Sequence, residues 1–166
     1  MKAQKSNLVA LVIALAVPFA VAAIGGIATS SSVSTWYPTL NKPAWNPPAW
    51  VFGPVWTLLY LMMGLASWLV WQKRADNEIQ VRRALGWYGL QLSLNLAWSV
   101  IFFGLRQVGL ALIEIVALWS ALLITTIKFG RIRRDAAGLL LPYLLWTTFA
   151  TALNAAIWWL NRNNLP

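Results

Sequence analysis

Trp36-Tyr37-Pro38-Thr39-Leu40-Asn41-Lys42-Pro43-Ala44-Trp45-Asn46-Pro47-Pro48-Ala49-Trp50 holds three tryptophans and four prolines in one short run. Proline fixes φ, so such a stretch has little backbone freedom and reads as a semi-rigid cover rather than a tether. On either side the chain turns apolar, over residues 8–28 before it and 47–71 after it. Three more apolar stretches follow, at 84–103, 108–127 and 136–160. Each approaches or exceeds the ~20 residues a helix needs to cross ~30 Å of hydrocarbon. Backbone polar groups must pair within the segment in lipid, and the two-residue alternation of a barrel is absent. The expected fold is therefore all-α, an integral membrane bundle of five transmembrane helices. It forms one domain over residues 1–166, with a first loop at about 29–46 that opens on Thr29-Ser30-Ser31-Ser32. Asn46 followed by Pro47 predicts an N-cap and first turn for the second helix. Pro18, Pro54 and Pro142 fall inside apolar runs, where each removes a helical hydrogen bond and predicts a bend.

Composition agrees. Twelve tryptophans, 60% hydrophobic and 10% charged residues and a mean hydropathy of +0.63 describe a membrane chain. Indoles suit both the headgroup level and cavity walls, so a belt at the interface is one reading of the Trp-Pro loop. With no cysteine there is neither a disulfide nor a thiolate, and with no histidine the commonest general base and metal ligand is missing. Of four acids, only Glu114 lies in an apolar run, which excludes a paired-carboxylate site inside the membrane. Arg106, one loop away, is within snorkelling reach of it. The first apolar stretch, preceded by Lys2 and Lys5, also resembles a signal peptide, although its length favours a spanning helix.

The net charge of +9 reads as topology. Lys2, Lys5, Lys73, Arg74, Arg82, Arg83, Lys128, Arg131, Arg133 and Arg134 fall on the amino-terminal side, against Lys42, Arg106 and Arg162 on the other. This bias predicts a cytoplasmic amino terminus, with the Trp-Pro loop and carboxyl terminus outside. Bacterial inner and outer membranes are both compatible with a helical protein. Nucleic-acid binding is not expected, because no basic cluster has a soluble scaffold around it.

Residues three and four apart share a helix face. By that spacing Gln91, Asn95, Trp98 and Phe102 form one stripe, Phe52, Trp56, Tyr60 and Met63 a second, and Tyr143, Trp146, Ala150 and Asn154 a third. Amides within a spanning helix meet other helices or a cavity, so Asn95 reads either as interhelical glue or as a ligand contact. If the three faces converge, they enclose a flat-walled pocket suited to a large, planar, mostly apolar ligand.

These residues carry a resemblance. Trp36-Tyr37, Leu40 and Lys42-Pro43-x-Trp45-x-Pro47-Pro48-x-Trp50 run on into Gly53-Pro54-Val55-Trp56, Leu59-Tyr60 and Gly64. Gln91-Leu92-x-Leu94-Asn95-x-Ala97-Trp98 and Ile101-Phe102-Phe103-Gly104-x-Arg106-Gln107 follow, then Pro142-Tyr143-Leu144-x-Trp146, Phe149-Ala150-Thr151 and Leu153-Asn154. The pattern resembles the TspO/MBR family, the tryptophan-rich sensory and translocator proteins. The resemblance implies a five-helix bundle, usually a homodimer, that binds porphyrins such as protoporphyrin IX. Animal members also bind cholesterol and synthetic benzodiazepine-site ligands. It implies a pocket under the first loop, lined by Trp50, Trp56, Tyr60, Asn95, Trp98, Tyr143, Trp146, Phe149 and Ala150. It further implies a proposed light- and oxygen-dependent breakdown of porphyrin in which Trp56 and Trp146 would act. The chain departs from animal relatives at residues 153–162, where the tyrosine of a proposed sterol motif is absent. That departure argues against sterol transport. The same permissive pattern is met by Val33, Tyr37 and Lys42.

Haem needs an axial ligand, and without His or Cys only Met62, Met63 and the tyrosines remain. No obligatory cofactor and no metal are expected, and an iron-free tetrapyrrole is the expected ligand, with Lys42 or Arg106 meeting a propionate at the mouth. Three classes of function follow: a receptor or sensor binding the tetrapyrrole, a porphyrin or sterol transporter, and a photo-oxidative porphyrin-degrading enzyme. No acid–base or nucleophilic constellation supports ordinary dark catalysis.

Overall fold

The computed structural model describes residues 2–163, with side chains from Asn7 onward, so the side chains of Lys2 and Lys5 lie outside the described residues. Five helices follow one another: α1 Lys2–Thr35, α2 Ala49–Trp71, α3 Glu78–Ser99, α4 Val108–Gly130 and α5 Arg134–Asn161. No strand occurs among the described residues. The protein is an all-α membrane bundle. Four of the helices are long and apolar enough by composition to cross a bilayer. The exception, α3, carries Glu78, Arg82 and Arg83 in its first turns and buries Gln91 and Asn95 further along. These two amides face the bundle, as intramembrane amides do.

The helices close a ring in the order α1, α2, α5, α4, α3, with α3 returning to α1 and touching α2 across the middle. Small residues set the closest approach. A Cβ on Gly64 of α2 would stand 2.9 Å from the Ala14 carbonyl oxygen of α1 and 2.8 Å from Leu15 Cδ2. Only glycine admits the two backbones at that distance, the usual device of membrane helix pairs.

Helix ends follow local chemistry, and some depart from expectation. Asn77 caps α3 by accepting from the Gln80 N–H at 3.1 Å, while its own amide donates to the Gln80 side chain at 3.2 Å. The run from Thr29 to Thr35 is helical rather than part of the first loop. Its hydroxyls return to the preceding turn, Thr29 to the Gly25 carbonyl at 2.8 Å and Thr35 to the Ser31 carbonyl at 2.6 Å. With their polar groups satisfied inside the helix, these residues extend α1. Helix α2 starts two residues later than expected, at Ala49 rather than Pro47, because Asn46 turns its oxygen to Tyr37 and its amide to the Pro47 carbonyl. Helices α1, α2 and α5 continue through Pro18, Pro54 and Pro142.

After Ser99, α3 widens into a π-turn over Val100–Gly104. Leu105 N–H reaches the Val100 carbonyl at 2.8 Å, and Arg106 then adopts the left-handed region at φ 58°. Such widened turns concentrate at functional sites. This one buries Phe102 beneath the first loop.

Candidate ligand site

The inner faces of α2, α3 and α5 meet at a chain of three buried side chains. Tyr60 hydroxyl donates to Asn95 Oδ1 at 2.7 Å, and Asn95 Nδ2 donates to Tyr143 hydroxyl at 2.9 Å. Asn95 is 1% exposed and Tyr143 fully buried, so both amide ends are satisfied away from lipid. Trp56, one turn before Tyr60, stacks on it at 5.5 Å and 29° and meets Tyr143 edge-on at 6.0 Å. Here α2, α3 and α5 are cross-linked by hydrogen bonds and lined by an indole.

One turn further along α5, half-buried Trp146 packs against Phe52 of α2 at 5.9 Å and Phe149 at 5.4 Å. Trp45 of the loop closes on Phe149 at 5.7 Å. Ala150, also half-buried, follows Trp146 on the same face. On α3, Trp98 donates its indole N–H to Asn154 Oδ1 at 3.0 Å, and Asn154 Nδ2 donates to the Val108 carbonyl at 2.9 Å. Asn154 thereby ties α3 and the start of α4 to α5. Trp98 also lies 5.2 Å from Phe102. Of the residues expected at the site, Trp56, Tyr60, Asn95 and Tyr143 are joined in one chain of contacts, Trp146 and Phe149 pair with each other on α5, and Trp98 bonds to Asn154 of that helix. Trp50 is not; it is 76% exposed at the start of α2.

Over this end of the bundle lies the first loop, residues 36–48, and it is pinned. Asn161 of α5 accepts from the Asn41 N–H at 2.9 Å and donates to the Asn41 carbonyl at 2.8 Å. Tyr37 hydroxyl donates to Asn46 at 2.9 Å, and burial raises its pKa above the ordinary phenol value, which keeps that donor protonated. Leu40 is buried with Phe102, Val108, Leu153 and Ile157 beneath it. Asn41 and Asn161 carried no sequence signal, since the clamp joins positions far apart in the chain. Asn161→Ala is expected to remove about 1–2 kcal/mol of local loop stability. Hydrogen exchange should then quicken at residues 40–42 while the helices keep their protection; unchanged exchange there would show that the clamp does not hold the loop.

The two cations expected at the mouth are used differently. Lys42 Nζ donates to the carbonyls of Tyr37, Pro38 and Leu40 at 3.0, 3.1 and 2.8 Å, which takes its three donors, and it also lies 5.1 Å from the Tyr37 ring. It is a staple of the loop and presents no donor to a carboxylate. Arg106 is exposed beside the Trp36 ring, with its guanidinium 5.9 Å away. It does not reach Glu114, whose two carboxyl oxygens are buried without a hydrogen-bond partner among the described residues. The snorkelling pair expected from the sequence is absent because the left-handed backbone at Arg106 turns its side chain to the loop. No group of His, Cys, Asp and Glu fit to hold a metal occurs among the described residues.

A polytopic helical membrane protein with an aromatic, amide-threaded interior under a pinned Trp-Pro loop is the class that this geometry defines. A profile of the TspO/MBR family matches residues 14–160. The chain is 41% identical over 162 residues to the tryptophan-rich protein TspO of Chlorobaculum tepidum, covering 95% of this chain and 99% of that one. It is 43% identical over 136 residues to the translocator protein of Homo sapiens, covering 79% and 80%. With the tryptophan-rich sensory protein of Cereibacter sphaeroides it shares 39% over 145 residues, 86% and 89% of the two chains. The chain belongs to the TspO/MBR family, and a membrane sensor or transporter role follows from that membership.

Proposed function

We propose that this protein is a membrane receptor that binds protoporphyrin-IX-like tetrapyrroles between α2, α3 and α5, beneath the first loop. The observation that carries the reading is the buried Tyr60–Asn95–Tyr143 chain with Trp56 stacked against it, and Trp146 packed against the same core cluster beside Phe52 and Phe149. Indoles supply large apolar contact area at low entropic cost, and the amide and hydroxyls offer the few polar points that orient a flat ligand. Arg106, exposed next to the loop, is the cation for a propionate at the mouth. Binding rests on stacking and burial, and no cofactor is required. Synthetic benzodiazepine-site ligands and sterols, which the family resemblance implies, compete for the same space; the homodimer is likewise part of the proposal.

Purified protein mixed with protoporphyrin IX, followed spectroscopically in light and dark with and without oxygen, tests the reading. A stable bound spectrum with quenched indole emission in all conditions supports a receptor. Loss of the porphyrin spectrum only in light and oxygen, abolished in Trp56→Phe or Trp146→Phe, supports degradation instead. The stacking of Trp56 on Tyr60 is the observation that favours this second reading, because paired aromatic rings can accept and share an oxidising equivalent.

We further propose that the basic face carrying Lys73, Arg74, Arg82, Arg83, Arg131, Arg133 and Arg134 is cytoplasmic, which puts the loop and its site at the outer face. The chain lacks cysteine, so single cysteines report topology without background. In intact cells, Thr39→Cys should react with a membrane-impermeant maleimide and Asp76→Cys should not. The opposite labelling reverses the orientation.

A further inference from the structure

At the other end of the bundle from the loop, α1, α2 and α3 leave an open groove of about 590 Å³. Val9 and Ile13 of α1, Ser67 and Trp71 of α2, and Leu85 and Tyr88 of α3 line it. The volume falls in the range of small-ligand sites, ~300–1,000 Å³. Its walls are apolar apart from the hydroxyls of Ser67 and Tyr88. Tyr88 is 6% exposed and its hydroxyl has no hydrogen-bond partner. It approaches Ser67, but Ser67 gives its own proton to the Gly64 carbonyl at 2.9 Å, and the two hydroxyls do not reach hydrogen-bond geometry. An unpartnered buried hydroxyl in a lipid-accessible groove calls for an acceptor from outside.

The mouth is cationic. Trp71 closes it, and the Arg74 guanidinium stacks on the Trp71 ring at 3.3 Å while donating once to the Trp71 carbonyl at 3.3 Å. Arginine has five N–H donors, so most of the exposed Arg74 fork remains for another acceptor. Exposed Arg82 stands three residues before Leu85, on the same side of α3. Lys73, by contrast, is paired with Asp76 at 3.1 Å. Tyr88 lies one turn deeper than Leu85, and a helical turn is ~5.4 Å. That is comparable to the thickness of one interfacial region, roughly 5–8 Å between the hydrocarbon and the outer edge of the headgroups.

We infer that this groove is a binding site for an anionic phospholipid of the leaflet on the basic side. One acyl chain lies along Val9, Ile13 and Leu85, an ester carbonyl accepts from Tyr88, and the phosphate meets Arg74 with Arg82. Charge at the mouth, an unmatched donor further in and an apolar floor fit that ligand class; a sterol would leave the guanidinium unanswered, and a fatty acid would spend its one carboxylate there and bring no ester carbonyl to Tyr88.

The test is native mass spectrometry of the full chain with phosphatidylglycerol and phosphatidylcholine of identical acyl chains. Phosphatidylglycerol is expected to be retained about fivefold or more over phosphatidylcholine, the preference that a basic side chain near an anionic headgroup supplies. Arg74→Gln should erase the preference yet leave weak retention of both lipids. Ile13→Trp, at a position already 57% exposed and so tolerant of bulk, should fill the groove and lower retention of both. Tyr88→Phe should shorten retention of both while leaving the headgroup preference. Circular dichroism and thermal melts confirm that each variant folds. Equal retention of the two lipids by the unaltered chain overturns the assignment, as does a preference that survives both Arg74→Gln and Ile13→Trp. If Ile13→Trp instead shifts dimer to monomer with lipid retention unchanged, the groove holds a second copy of the chain and the inference is wrong.

Discussion

Asn95→Ala is expected to cost roughly 2–3 kcal/mol of stability. Asn95 is the hydrogen-bonded bridge between Tyr60 and Tyr143, and it serves one with its oxygen and the other with its nitrogen. Truncation strands two tyrosine hydroxyls where no water reaches them, and each such orphan costs about 1–3 kcal/mol. Interhelical hydrogen bonds in membranes run lower, roughly 0.6 to 1.7 kcal/mol each, because the unfolded helices find other partners in lipid. Two bonds lost together span roughly 1 to 3.5 kcal/mol, and the expected cost lies in the upper part of that span. Tyr60→Phe and Tyr143→Phe should each cost less, since they remove one hydroxyl and leave Asn95 with its other bond. The double-mutant cycle between Asn95→Ala and Tyr143→Phe should show coupling, which thermal or denaturant unfolding in a fixed detergent measures. Additive losses would mean that the chain is not an energetic unit.

Glu114→Leu works in the opposite direction and is expected to stabilise the protein by about 1–3 kcal/mol. Both carboxyl oxygens of Glu114 are buried inside a spanning helix with no hydrogen-bond partner among the described residues. A polar group held there without compensation costs about that much relative to an apolar side chain of similar size. Glu114→Gln keeps the polar burden and should change stability little. A lower melting temperature in Glu114→Leu would show that the carboxyl has found a partner, and the account of this helix would then need one.

Much of the fold was legible because the apolar runs and the Trp-Pro loop answer to strong, local physics. Length and hydropathy in lipid leave little besides helices, so α2, α4 and α5 appear near their expected bounds, while α1 runs past both of its expected ends and α3 starts earlier, in the charged linker. What escaped was the choice between competing local partners. Thr29 and Thr35 carry hydroxyls that suit a loop or a helix, and their bonds to the preceding turn decide for the helix. Asn46 has the chemistry of an N-cap, but Tyr37 holds its oxygen. The π-turn at Val100–Gly104 leaves no periodic trace in so short a run, yet it determines where Phe102 and Arg106 point.

The site shows the same division. Spacing placed Tyr60, Asn95 and Tyr143 each on a helix face, and the structure is what brings the three together by hydrogen bonds. Spacing could not foresee that Lys42 would bind its own loop, because folding of a proline-rich segment back on a lysine is not periodic. Nor could it separate Trp50, which faces outward, from Trp45, which closes on Phe149.

The central claim is that indoles on separate helices hold a flat, metal-free tetrapyrrole. Its most direct measurement is the dissociation constant for protoporphyrin IX, read in the dark by quenching of indole emission. The comparison is between the unaltered chain, Trp56→Leu, Trp146→Leu and Trp159→Leu, the last taken from an exposed position on α5. Burying an aromatic side chain is worth about 1.5–3 kcal/mol, and 1.4 kcal/mol is tenfold in affinity. The account predicts at least tenfold weaker binding in Trp56→Leu and in Trp146→Leu, with Trp159→Leu indistinguishable from the unaltered chain. Unchanged affinity in both interior variants, or equal weakening in all three, would contradict it.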